Sequence, residues 1–335
     1  MHDLHYIKRP KLTDNEIFEI VRKRGGAWVI SRPVGGIGDA VMILPSITAL
    51  KKQVGDDLVI VSCVDYVEPI FSHNPYVDYI MSYDGDEISQ GIQKQSLAIL
   101  RDLDCIIYKL YSPDPAALYE AQNEPYIIKS RQDVWCEYCD VEFDTNNYCL
   151  YLDKHEKNAR KELGINDRYV IVQLRSHDGW RDYPKVLTNT LLYDLVKLGK
   201  KLDFEVVAID STQESSIKKV RSLHHMHLDV VLGVLHGAMM LIGPDSMGVH
   251  VKGALGNGSV YGIFGPTNPS VRLKYPNAYW NEPHKRCKRQ YCWYHPCKFR
   301  LCLSSLRPGK IVNSVSDILV GRSVENVETI FAEEQ

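Results

Sequence analysis

Apolar residues along this chain recur in two alternating rhythms. One is the short continuous run rich in β-branched residues; the other is a longer stretch with apolar positions three or four apart. Continuous runs read as strands buried on both faces, and the wider spacing reads as helices with one apolar stripe. Between Asp14 and Arg24, Ile17, Ile20 and Val21 make such a stripe among charges, which predicts a short helix. Ala27–Ser31 predicts a strand leading into the glycine-rich stretch Arg32–Asp39. Ala40–Lys52 follows as a helix carrying Val41, Leu44, Ile47 and Leu50, closed by Gly55. Leu58–Ser62 and Cys105–Tyr108 are further strand candidates. A second series starts near residue 155: Tyr169–Leu174, Phe204–Ile209, Met239–Gly243 and Ser259–Phe264 read as strands. Leu187–Leu198, Val230–His236 and Gly248–Leu255 read as helices, and Ile311–Phe331 as largely helical. This alternation predicts two open α/β units in tandem, each with a parallel sheet, the break falling around His155–Asn166. No internal repeat or low-complexity tract interrupts it.

Composition narrows the class. A chain of 335 residues is long enough for two domains with separate cores, and 24% charged with 44% hydrophobic residues excludes global disorder. No apolar run approaches the ~18 residues of a membrane-spanning helix. Met1–Lys11 is polar and charged, without the apolar core of a secretory signal, so a cytoplasmic protein is expected. Nine cysteines, an odd number, fit reduced thiols better than a secreted disulfide framework.

Two strand-to-helix turns carry the candidate chemistry. The first is Gly35-Gly36-Ile37-Gly38-Asp39. Glycines there let the backbone approach a ligand, and a helix N-terminus offers free N–H groups. A dinucleotide fingerprint needs a third glycine where Val41 stands, which makes a nicotinamide oxidoreductase the weakest reading. Asp39 either caps the following helix or, at the carboxyl end of a strand, serves as a general base. The second turn is Gly243-Pro244-Asp245-Ser246-Met247-Gly248-Val249-His250. Here Asp245 or Ser246 can cap the helix, while the N–H groups and His250 face either an anion or the core.

Downstream, Cys287, Cys292, Cys297 and Cys302 recur every five residues. Four thiolates can close a structural zinc site, although such sites usually begin with a closer pair; reduced thiols or disulfides are the alternative. Cys136 and Cys139, and the run His224-His225-Met226-His227, read as incidental. The cysteine segment is also basic. Residues 272–310 hold ten Lys/Arg against one acid, Glu282, giving +9 and leaving −11 for the rest of a chain whose total is −2. Tyr291, Trp293, Tyr294 and Phe299 lie among these charges. Basic residues interleaved with aromatics suit a phosphorylated glycan or a nucleic acid; the bland reading is a solvated cationic lobe.

Taken together, these pieces resemble glycosyltransferase family nine, the bacterial ADP-heptose:lipopolysaccharide heptosyltransferases and relatives. VGGIGDAVMILPSITALKK at Val34–Lys52 is similar to the family's LGDxxLTxPALRALK, with Asp39, Pro45 and Ala49-Leu50-Lys51 matching. Asp245–Leu255 with Phe264-Gly265-Pro266-Thr267-Asn268-Pro269 resembles its D-S/T-G-x-x-H-x-A-A-A signature followed by a strand and FGPT-D/N-P. Met247 stands where the family has Gly, and Gly248 follows one place later. Arg181-Asp182-Tyr183-Pro184 sits where members have K-R-W-P, which puts Arg181 in the place of the diphosphate-binding lysine.

The resemblance implies a GT-B fold, two Rossmann-like domains facing across a cleft. Residues 1–155 would be the acceptor side, preceded by an extra helix, and 156–310 the nucleotide-sugar side, with the basic cysteine-rich part at 284–310. A helical segment, 311–335, would close the chain. It also implies inverting transfer that requires no metal cofactor. Asp39 would be the base, beside an acceptor loop of Gly35, Gly36 and Gly38. Arg181, Asp245, Ser246, Met247, Gly248 and His250 would hold the donor, with Asp210 or Glu214 on its ribose. Two alternatives stay open: a transferase acting on modified bases of DNA, and a non-catalytic binding protein with the same fold.

Overall fold

The computed structural model describes residues 12–32, 35–109, 114–124, 126–148, 150–173, 175–176, 179, 181–209, 220–281, 291–292, 297 and 300–322. The chain divides into two compact units, Met1–Asn123 with Ile127–Asp153, and Glu124–Tyr126 with Lys154–Gln335.

The first unit runs α1 (Asp14–Arg24), β1 (Trp28–Arg32), α2 (Ile37–Val54), β2 (Val59–Val64), β3 (Tyr79–Tyr83), α3 (Glu87–Asp102), β4 (Ile106–Lys109), α4 (Pro115–Asn123) and α5 (Arg131–Tyr138). Its sheet has the order β3-β2-β1-β4, all parallel, with Trp28 of central β1 level with Val59 on one side and Ile106 on the other. β2 is buried along its whole length, as a strand covered on both faces must be. The predicted helix at Asp14–Arg24 has the predicted bounds. Thr13 caps it through the Glu16 N–H, Glu16 reaches back to the Thr13 N–H, and Gly25 ends it at φ 80°. Its Ile17, Phe18 and Val21 pack with Leu97 and Leu100 of α3 into the core.

β3 and α3 are absent from the sequence expectations, for a physical reason. On α3, Ile88, Ile92 and Ile99 are exposed, while the buried face includes Gln93 and Ser96. Gln93 donates to the Ser62 hydroxyl (2.8 Å) and Ser96 to the Asp14 carboxylate (2.7 Å), so polar side chains occupy positions that periodicity assigns to apolar ones.

The second unit runs α6 (Lys154–Glu162), β5 (Tyr169–Gln173), α7 (Lys185–Leu202), β6 (Glu205–Ile209), β7 (Arg221–Leu223), α8 (Leu228–Gly237), β8 (Met240–Gly243), α9 (Met247–Leu255), β9 (Ser259–Gly262), α10 (Pro269–Arg272), β10 (Ala278–Trp280), α11 (Leu301–Ser304) and α12 (Pro308–Leu319). The sheet order β10-β9-β8-β5-β6-β7, all parallel, is that of a dinucleotide-binding fold. The order reverses between β5 and β8, so the carboxyl ends of these two strands mark the place where such folds take ligands. Ile311 and Val315 of α12 join Leu191, Leu192 and Leu195 of α7 in this unit's core. The closing helix is therefore part of the second unit rather than a separate segment. It ends at Leu319, and the rest of the predicted stretch, from 323, lies outside the described residues.

Close packing shapes the unit's helices. Lys252 is fully buried on α9, and its ammonium donates to the carbonyls of Leu235 (3.0 Å) and Ala238 (2.6 Å) at the end of α8. It thereby satisfies carbonyls that a helix end leaves unpaired. Burial pulls this ammonium down to about 7. Gly233 of α8 lies against α6: a Cβ there would sit 1.8 Å from the Glu156 carbonyl oxygen. Gly91 of α3, in contrast, has open space around it. Gly233→Ala is expected to cost about 2 kcal/mol by overpacking, and Gly91→Ala to gain about 0.5–1 kcal/mol from helix propensity. Urea unfolding midpoints of the two variants, moving in opposite directions, check this.

Candidate active site

In the second unit β8 ends at Gly243, and the chain turns through Pro244-Asp245-Ser246 into α9. Asp245 is 2% exposed. Its Oδ2 lies 3.3 Å from Arg181 Nη1 and 3.6 Å from Arg272 Nε, and its Oδ1 3.3 Å from His250 Nε2. Burial alone would raise this carboxyl, but Arg272, Arg181 and His250 outweigh it and hold it well below the usual carboxylate range. His250 is itself buried, with Nδ1 3.1 Å from the Tyr275 hydroxyl. When Nε2 donates to the carboxylate and Nδ1 accepts from the phenol, both ring nitrogens are satisfied. The Tyr275 ring lies on Gly253, where a Cβ would come within 2.4 Å of it.

The N-terminus of α9 is built differently from the sequence expectation. Ser246 occupies the cap position, yet neither its hydroxyl nor the Asp245 carboxylate makes a capping bond there. Instead Gln173, at the end of β5, accepts from the Gly248 N–H (3.0 Å) and donates to the Ser246 hydroxyl (2.9 Å). Gly248 is required by this brace, because a Cβ would lie 2.4 Å from the Gln173 Oε1. Met247 is the first residue of the helix. Gln173 thus ties β5 to α9 across the point where the strand order reverses.

In the first unit the corresponding position is the end of β1. Arg32, 3% exposed, pairs with Asp114 (3.0 Å) and with Asp39 Oδ2 (3.2 Å), and its guanidinium lies over the Trp135 ring, 5.4 Å from the centroid. Gly35 has φ +116°, and a Cβ on it would fall 1.8 Å from Arg32 Nη2, so the glycine makes room for the arginine. Gly36 is the N-cap of α2, and its N–H donates to Asp39 Oδ2 (3.2 Å). The helix therefore starts at Ile37, earlier than the predicted Ala40. Asp39 stands in its first turn, folded back on the cap rather than at the cap position. Gly38 lies beside it in the same turn. The other oxygen, Oδ1, is 2.6 Å from Arg131 Nη1; Arg131 also makes two parallel bonds to Glu120 (2.8 and 2.7 Å). Asp114 caps α4 through the Ala117 N–H (2.7 Å) while holding Arg32.

Each unit thus gathers its predicted residues at the carboxyl end of its sheet: Gly35, Gly36, Gly38 and Asp39 in the first, Arg181, Asp245, Ser246, Met247, Gly248 and His250 in the second. Sequence reasoning missed Arg32, Asp114, Glu120, Arg131, Gln173 and Tyr275, and placed Arg272 only in a basic segment. Arg272 is buried against Asp245 and so leaves that surface charge. Arg32, at the end of a strand, and Asp114, before Pro115, had local signals. The others meet partners from eleven to 92 residues away, and no spacing announces that.

Asp210 and Glu214 lie outside the described residues, as do Cys287 and most of the basic segment. Cys292 and Cys297 are half-buried free thiols, and Cys302 is half-buried. Among the described residues no group of His, Cys, Asp and Glu is arranged to hold a metal ion; the expected four-cysteine site includes Cys287, which lies outside them. The His224 and His225 rings meet edge to face. Cys136 and Cys139 are buried, and burial raises both thiols, Cys139 to about 12. No described helix is long and apolar enough to cross a membrane.

The architecture is the α/β GT-B class, built of two Rossmann-like units. Solved structures of glycosyltransferases share it. The glycosyl transferase family 9 protein from Veillonella parvula DSM 2008 matches with a TM-score of 0.67 and 12% identity, over 89% of this chain and 98% of that one. The E. coli ADP-heptose lps heptosyltransferase II matches at 0.63 and 13%, over 88% and 99%. The E. coli heptosyltransferase WaaC with ADP matches at 0.57 and 13%, over 87% and 99%. The likeness is one of fold. By sequence, no protein-family model and no curated protein matches the chain.

Asp245 supplies a stability prediction. Its folded-state carboxyl is held low, so its contribution is complete above the unfolded value of about 3.9 and is lost as pH falls through the folded value. Asp245→Asn leaves the buried Arg272 and the partly buried Arg181 without this carboxylate and is expected to cost about 3 kcal/mol at pH 7. The gap to the wild type should narrow below about pH 4. Thermal unfolding of both proteins between pH 3 and 8 measures it.

Proposed function

We propose that this protein is an inverting glycosyltransferase. It moves a sugar from a nucleotide-diphosphate donor of the ADP-heptose kind to a hydroxyl of a glycan such as lipopolysaccharide core. The observation that carries the reading is the convergence of Arg181, Arg272 and the α9 N-terminus on Asp245 where the second unit's strand order reverses. Cationic groups and helix N–H donors at that place are what a diphosphate binds. The E. coli heptosyltransferase of the same fold was solved with ADP, which supports an adenine nucleotide here.

In this reading Asp39 takes the proton of the acceptor hydroxyl as its oxygen attacks the anomeric carbon from the face opposite the nucleotide. The new C–O bond forms while the bond to the diphosphate breaks, and the electron pair leaves with the phosphate oxygen. Arg181 and Arg272 neutralise that charge, a role a metal ion fills in other transferases, so the chemical step needs no metal cofactor. His250 and Tyr275 act through Asp245: they hold the carboxylate that keeps both guanidiniums in place. The rest of the cationic segment, 274–310, suits a phosphorylated acceptor.

A thermal-shift screen of ADP-, UDP-, GDP- and dTDP-sugars tests the donor, because a ligand of the folded state raises its stability. ADP-heptose is expected to stabilise the wild type and Asp39→Asn alike, and Arg181→Ala much less. Turnover of Asp39→Asn is expected to fall about 10²–10⁴-fold. Stabilisation by no nucleotide sugar, or equal loss of donor binding in Asp39→Asn, would sink the proposal.

A further inference from the structure

We propose that Arg131 is the positioning residue of Asp39: its guanidinium, locked by Glu120, aims the carboxylate and sets the pH at which it works as a base. This deepens the reading of Asp39 as the base and rests on it. Three elements fix the plane of the Asp39 carboxylate. Arg32 at the end of β1 and the Gly36 N–H hold Oδ2, each at 3.2 Å, and Arg131 on α5 holds Oδ1 at 2.6 Å.

The two arginines differ in setting. Arg32 is 3% exposed, packed between Asp114 and Trp135, and belongs to the framework. The side chains of Arg131 and Asp39 are 15% and 25% exposed, so their contact reaches the surface where an acceptor hydroxyl must arrive. Arg131 already has a complete partner, because Glu120 takes its Nε and Nη2 in a parallel two-bond pairing. A third bond, from Nη1 to Asp39, carries the charge of this locked guanidinium onto the Asp39 carboxylate. Burial alone would lower the Arg131 guanidinium, but Asp39, Glu120 and Asp114 outweigh it and hold it well above its ordinary value, so it stays charged through any working pH. Among the described residues, the charged and titratable groups facing Asp39 include Arg32, Arg131, Asp114 and Glu120, with the Tyr66 hydroxyl donating to the Gly35 carbonyl nearby.

The test is the pH profile of kcat for transfer in the full-length protein, with donor KM and thermal unfolding recorded for each variant. Removing a cation beside a carboxylate makes its proton harder to lose, so Arg131→Met is expected to move the acid limb up by about one pH unit with donor KM unchanged. Arg131→Lys keeps the charge without the fork. Its limb should stay near the wild-type position while kcat drops about tenfold through lost orientation. Glu120→Gln removes a negative charge from the cluster and should move the limb the opposite way, down. If Arg131→Met does not fold, the other two variants carry the test. A limb that stays put in Arg131→Met and Glu120→Gln, or a rise in donor KM matching the loss of kcat, overturns the proposal. If Asp39→Asn retains full transfer, the assignment of the base fails instead, and this result is distinct from the others.

Discussion

A carboxylate taken out of water must be given cationic or hydrogen-bonding partners, and at Asp245 that requirement organises the second unit. Left alone, such a group costs several kcal/mol. Meeting the cost draws Arg181 from the loop after β5, Arg272 from α10 and His250 from α9 onto one side chain. Each partner then imposes its own condition. His250 needs Tyr275 for its second nitrogen, Tyr275 needs a glycine at 253 to lie on, and α9 needs Gly248 so that Gln173 can cross from β5. The glycines of the second motif are thus consequences of side chains reaching over them. What gathers there, two guanidiniums and a helix N-terminus, is what the diphosphate of the proposed donor would use.

The first unit meets the same requirement with a different balance. Arg32 is as buried as Asp245, but its carboxylate partners are split between a framework residue, Asp114, and a residue nearer the surface, Asp39. Gly35 is the condition for that split, since any side chain there would displace the guanidinium. Asp39 is therefore held from behind by buried charge and in front by Arg131, while part of it faces solvent. A rigid carboxylate with one open side suits the proposed role of Asp39 as a base.

Legibility in the sequence followed burial. β1, β2, β5, β6, β8 and β9 are continuous apolar runs because both faces are covered, and all six were readable within a residue or two. β7 and β10 are short strands at the edges of their sheet and left no run long enough to read. α3 was invisible because Gln93 and Ser96 sit in its buried face. In the candidate site, both strand-to-helix motifs were legible as motifs. Two of the arginines that act on their carboxylates were not, since Arg131 is 92 residues from Asp39 and Arg272 is 27 from Asp245.

The sequence by itself determined the two α/β units, the parallel character of their sheets and the pair of turns where chemistry belongs. These follow from local rules: hydrophobic period, glycine at tight turns, and capping residues beside helices. Only the tertiary structure decided which charges meet. It moved Arg272 from an apparent surface patch to a buried partner of Asp245. It replaced the expected side-chain caps of α9 with Gln173 from another strand, and set Asp39 between Arg32 of the preceding strand and Arg131 of the distant α5. The reason is that a local pattern reports how a segment faces the core. The partner of a buried charge is whatever the fold brings within about 3 Å, and sequence distance does not constrain it.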